Sequence, residues 1–127
     1  MLKNVITLIA IILMPLFNLQ VAADTQYSEP VKMRITCYLP TGNPTASGVM
    51  PRKGMCAAKR DWIGKTAVIY DMDMKLIGIF EITDTGGAER IKQGKCIDLF
   101  MPTMAEVNEY IRTYGDWGYV QIITADG

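Results

Sequence analysis

The sequence predicts a mainly β fold: a small closed barrel with one α-helix in the C-terminal half. Three observations predict it. Several short stretches alternate or run apolar at strand length, with turn-forming residues between them. Only one stretch has helical spacing together with capping residues at both ends. One strand reads as apolar on both faces, as in a barrel or sandwich interior. Closing such strands into a barrel also removes exposed sheet edges, so a barrel is expected over an open sheet.

Residues 1–23 read as a segment outside the fold. Lys3 is basic, residues 5–17 are apolar apart from Thr7 and Pro15, and Val21-Ala22-Ala23 makes a small-residue cleavage signal. That is the pattern of a secretory signal peptide. The apolar run is shorter than the ~20 residues that cross a bilayer. No cysteine follows it to carry a lipoprotein anchor. The expected product is secreted, extracellular or wall-associated, or periplasmic where the host has an outer membrane. It keeps no stable membrane anchor after cleavage. Asp24 then begins a polar, flexible lead-in over 24–30, and residues 31–127 form one domain. A monomer is expected.

Each element follows from local pattern. In residues 31–38, Val31, Met33, Ile35 and Cys37 alternate with Lys32, Arg34 and Thr36, the period of a half-buried strand. Residues 39–54 are rich in Pro, Gly, Thr and Ser and form a long loop, a frequent carrier of function. Residues 65–70 and 75–83 are strands joined by the polar turn 71–74. The second of these holds Leu76, Ile77, Ile79, Phe80 and Ile82, predicting burial on both faces, and Gly78 predicts a bulge or a close approach. Residues 95–101 form a strand with Ile97, Leu99 and Met101 on one face and Cys96, Asp98 and Phe100 on the other. A helix follows. Thr103 and Glu106 make a capping box, Met104, Val107, Ile111 and Tyr114 make its apolar stripe, and Gly115 ends it. Residues 118–124 are the last strand.

Charge and composition narrow the chemistry. Thirteen basic residues balance thirteen acidic ones, and no basic run offers a footprint for nucleic acid. There is no histidine, so acid–base work falls largely to carboxylates. Cys37, Cys56 and Cys96 allow one disulfide and one free thiol, in any of three pairings. A zinc site lacks a fourth ligand and any Cys-x-x-Cys pair, so no metal and no other cofactor is expected.

Asp84-Thr85-Gly86-Gly87 and Asp98 carry the chemistry. Asp84 falls at a strand end beside two glycines, which remove side-chain bulk, permit positive φ and let a large ligand approach backbone. Asp98 falls mid-strand beside Cys96 and Phe100. Apolar neighbours and a second carboxylate push such a group's pKa upward, as a general acid near neutral pH requires.

The chain resembles the three-aspartate (3D) domain family, which includes the catalytic barrel of membrane-bound lytic transglycosylase A and the stationary-phase-survival proteins. The resemblance runs from about Met33 to Ile123. It rests on Thr45-Ala46-Ser47-Gly48, Ile63-Gly64-Lys65-Thr66, Asp84-Thr85-Gly86-Gly87-Ala88, and Gly94-Lys95-Cys96-Ile97-Asp98-Leu99-Phe100 followed by Met101-Pro102. It implies a double-psi β-barrel that acts on the glycan strands of peptidoglycan. Family members cleave after N-acetylmuramic acid and leave 1,6-anhydro ends without using water. By position, Asp98 maps onto the aspartate that serves as acid and then base, and Asp84 onto the aspartate that supports it. Thr45 would bind sugar in the cleft, and Ser47, Thr85, Gly86 and Gly87 fall in the matching binding segments. The chain departs from the family in two places. The Asp84–Asp98 loop is longer, with Glu89, Arg90 and Gln93 in the expansion. The family's first aspartate aligns with Ala58, and Asp61 is its nearest substitute.

Two other readings compete. Asp84-Thr85-Gly86 also matches the Asp-Thr-Gly of a dimeric aspartic protease, but Leu76-Ile77-Gly78 then stands on the wrong side of it and Asp98 has no role. A non-catalytic, expansin-type barrel that binds wall carbohydrate is the stronger rival, with Tyr38, Trp62, Trp117 and Tyr119 available to stack on sugars.

Overall fold

A computed structural model describes residues 25–125. The proposed signal segment and its cleavage point lie outside the described residues. The strands are β1 (Thr25–Tyr27), β2 (Val31–Tyr38), β3 (Met55–Ala57), β4 (Thr66–Tyr70), β5 (Leu76–Asp84), β6 (Cys96–Phe100) and β7 (Trp117–Ala125). A 3-10 turn covers Arg60–Trp62. Helix α1 is a single turn, Glu89–Lys92, and α2 spans Met104–Tyr114.

The strand order is β1-β7-β2-β6-β3-β5-β4, and β4 pairs again with β7. That last pairing closes six strands into a barrel and leaves β1 as an appendage on β7. The expected small β-barrel with one substantial helix is therefore the fold. Two pairings are parallel, β2 with β6 and β3 with β5. The rest are antiparallel. Closure depends on Gly118: a Cβ there would stand 2.7 Å from the Tyr70 carbonyl oxygen. Only a glycine lets β7 pass this close to the end of β4.

The interior is filled by Ile35, Ile69, Ile82, Ile97, Leu99 and Val120, all under 2 % exposed. Branched side chains dominate because they pack well on a pleated, half-buried surface. Of β6, Ile97 and Leu99 enter this core, as their phase predicts.

Three expectations are corrected, and one strand has no expected counterpart. Residues 25–27, read as flexible lead-in, form β1 in register with the end of β7. Strand β3, which follows the predicted loop 39–54, is so short that no periodicity can develop in it. In β5, Leu76 and Ile79 are 59 % and 64 % exposed. A barrel strand has one interior side, and β5 turns only part of its apolar run inward, with a register shift opposite Ile69 and Tyr70 next to Gly78. In α2, Met104 and Ile111 are exposed, and the buried stripe is Val107, Tyr110 and Tyr114. The two tyrosine rings sit 5.0 Å apart and set the rotation of the helix. Its ends are as expected. The Thr103 hydroxyl accepts from the Glu106 N–H and donates to the Glu106 carboxylate. Gly115 stops the helix at φ +72°.

Candidate functional site

The short strand β3 organises the site. Ala57 is the register partner of Asp98 on β6 and of Asp84 on β5. Partners across a sheet project to the same side, so the two carboxylates flank one methyl group. Thr36 on β2 is in turn the partner of Asp98, and its hydroxyl donates to Asp98 Oδ1 at 2.8 Å. Thr36, Asp98, Ala57 and Asp84 thus form a row across four strands. The Cys96 sulfur lies 3.5 Å from the Thr36 hydroxyl. Tyr38, two residues along β2, packs edge-on to Phe100, and its hydroxyl is buried without a hydrogen-bond partner.

Asp84 ends β5 and holds the neighbouring loop. Its Oδ1 accepts from the Ala46 N–H at 3.0 Å and from the Thr85 N–H at 2.9 Å. The Ser47 N–H donates to the Thr83 carbonyl at 3.0 Å, so the 45–48 turn is tied to β5 twice. Backbone donors aimed at a carboxylate fix its position.

Asp98 has a different setting. Burial pushes its carboxyl above the ordinary aspartate range, and the Asp84 charge adds to that. The Thr36 hydrogen bond and the Arg90 guanidinium pull the other way without cancelling it. Two carboxylates on one row therefore sit in different environments.

An open cleft of about 790 Å³ lies over Asp84. Thr45, Thr85, Gly86, Gly87 and Asp61 line it, together with Lys59, Arg60 and Lys92. Most of the expected site residues are thus brought together. Asp98 does not line this cleft; it stands half-buried two strands from Asp84. Ser47 is also outside the lining. Thr45 lines the cleft as expected, but its hydroxyl is engaged within the loop. Its hydroxyl donates to the Val49 carbonyl at 2.9 Å and bonds to the Ser47 hydroxyl, and the residue is 5 % exposed. That donor is already spent on the loop.

The glycines act by size. Neither Gly86 nor Gly87 has positive φ. A Cβ on Gly86 would stand 3.1 Å from Ile91 Cδ1, so this glycine seats the buried side chain of α1. The loop between Asp84 and Asp98 thus contains a helical turn docked beside the cleft. Ala58 is fully buried, and its N–H donates to the Asp84 carbonyl. Asp61 is on the cleft wall, with its side chain 79 % exposed and 3.8 Å from Lys59 Nζ.

None of the four aromatics considered for sugar stacking lines the cleft. Trp62 lines a separate groove, and Trp117 lies under Lys32 and Arg34, each 5.5 Å from its ring. The sequence reading missed Thr36 and the three cations. Alternation places Thr36 on the polar side of β2, but its parallel pairing with β6 is a long-range fact. Cys37, Cys56 and Cys96 are all free thiols. Among the described residues no three potential metal ligands cluster, and no helix is long and apolar enough to cross a membrane. No protein-family model and no curated protein matches this chain.

Proposed function

We propose that the protein is an exported peptidoglycan lytic transglycosylase with Asp98 as its acid and base. The observation that carries this reading is the unequal carboxylate pair. Asp98 is half-buried with its pKa raised, while Asp84 is fixed by two backbone N–H groups at the edge of an open cleft.

In this reaction protonated Asp98 gives its proton to the glycosidic oxygen as the bond to the muramic anomeric carbon breaks. The ionised Asp98 then takes the proton of the muramic C6 hydroxyl as that oxygen closes onto the same carbon. The proton count returns to its start, and no water enters. The nucleophile belongs to the substrate, so the protein must hold the sugar in place and need not activate a water. Asp84 lies two strands away, near enough to favour protonation of Asp98. The Thr36 hydrogen bond holds Asp98 Oδ1 and leaves the other oxygen for the substrate. Glycan strands are the partner, and the expected setting is the cell wall or periplasm.

A second reading, a wall-carbohydrate-binding barrel without catalysis, is favoured by the absence of Asp98 from the cleft lining. Digestion of purified sacculi separates the two. Soluble fragments released by wild type and lost in Asp98→Asn support the enzyme. Sacculus binding with no release supports the binding module.

A further inference from the structure

The cleft carries a second set of charges that the proposed reaction does not use. Lys59 and Arg60 come from the segment of the 3-10 turn and Lys92 from α1, and all three line the cleft with Asp84. The supports of these cations are locked to one another. Gly94 follows α1 at φ +72°, and a Cβ on it would stand 2.9 Å from Trp62 Cη2, at the end of the 3-10 turn. On its other side α1 is held by Ile91 against Gly86. The cations therefore stand on a fixed wall beside the Asp84 turn.

Little within the protein neutralises them. Two carboxylates line the same cleft, Asp61 and Asp84. Asp84 is engaged by backbone N–H groups. Asp61 is highly exposed and reaches only Lys59, at 3.8 Å, a pairing of small worth in water. Arg60 and Lys92 have no carboxylate within ion-pair distance among the described residues. The whole chain has no net charge, so this excess is local to the cleft.

We infer that Lys59, Arg60 and Lys92 form a subsite for a carboxylate on the glycan, in the cleft over Asp84. The inference rests on glycan strands being the ligand. N-acetylmuramic acid carries a lactyl group whose carboxyl is free where the stem peptide has been removed and is an amide where the peptide remains. A guanidinium offers paired donors that match one carboxylate, and two ammonium groups add charge without fixed geometry. The subsite thus favours peptide-free strands, on which the carboxylate is held close to the sugar ring. Stem peptides bear carboxylates too, farther from the ring.

Calorimetric titration of the full chain carrying Asp98→Asn tests this without consuming the ligand. Three ligands are compared: peptide-free glycan oligomers, the same oligomers with stem peptides, and neutral N-acetylglucosamine oligomers. Peptide-free strands should bind about tenfold tighter than neutral ones at low salt, three weak exposed pairings together. That preference should vanish in K59Q/R60Q/K92Q, with its circular dichroism unchanged and neutral-oligomer binding intact. A preference for peptide-bearing strands, lost in the same variant, would support the carboxylate subsite and assign the stem as its source. Equal affinity for peptide-free, peptide-bearing and neutral oligomers would overturn the subsite while leaving the glycan reading standing. Binding of none of the three would overturn both.

Discussion

Asp84 and Asp98 are register partners of the same residue, Ala57, one from each neighbouring strand. That shared partner places the two carboxylates in one row across the sheet, beside the register shift between Cys56 and Ala57. Their environments then diverge: Asp84 is bonded to two N–H groups, while Asp98 has one hydroxyl and a half-buried setting.

Thr36→Val should move the alkaline limb of the activity profile to higher pH. The Thr36 hydroxyl stabilises ionised Asp98, so removing it raises the carboxyl further and keeps the acid form to higher pH. The pH dependence of sacculus digestion by wild type and variant checks this. A purely structural role for Thr36 would lower the rate without displacing the limb.

Asp98→Asn should raise the melting temperature at pH 7. The folded-state pKa of Asp98 is raised above its unfolded value, chiefly by burial. The folded form therefore binds more protons than the unfolded one between those two values. The stability from Asp98 is fully present below about pH 3.9 and is lost as pH rises through the folded pKa. Asparagine never ionises, so its advantage should shrink below about pH 4. Thermal melts of both proteins at the two pH values measure the difference.

Gly94→Ala should cost about 1–3 kcal/mol, because it meets both a left-handed backbone and the Trp62 ring. Gly87→Ala should change stability by no more than about 0.5 kcal/mol, since nothing lies near its Cβ position. Urea denaturation of the two variants checks the contrast. Gly94→Ala should also weaken glycan binding, because it loosens the wall that carries Lys92.

Three thiols should titrate in denaturant, and very few in the native protein. Burial pushes Cys37 up to about 11 and Cys56 up to about 12, with the Asp98 charge adding to both. Cys56 and Cys96 are fully buried as well. Thiol titration with and without denaturant, beside a non-reducing mass, distinguishes this from a disulfide.

Local chemistry made much of this fold legible. The alternation from Met33 to Cys37, the Thr103–Glu106 cap and the stop at Gly115 are all short-range patterns, and each matches its element, while Val31 at the strand's start is exposed. The β6 phase separates Ile97 and Leu99 from Asp98 for the same reason. What stayed hidden depends on pairing across long stretches of chain. The short strand β3 has no periodicity of its own, yet it sets the spacing of Asp84 and Asp98. The Thr45 hydroxyl looks available until its loop is folded and Val49 takes it. Lys59, Arg60 and Lys92 come together from segments far apart in sequence, across the contact of Gly94 with Trp62.

The most direct test of the central claim is mass spectrometry of what the protein releases from purified peptidoglycan. The predicted products end in 1,6-anhydro-N-acetylmuramic acid, and Asp98→Asn should reduce their yield by at least about 100-fold, the usual contribution of a positioned proton-transfer group. Products with ordinary reducing ends, or binding with no release at all, would contradict it.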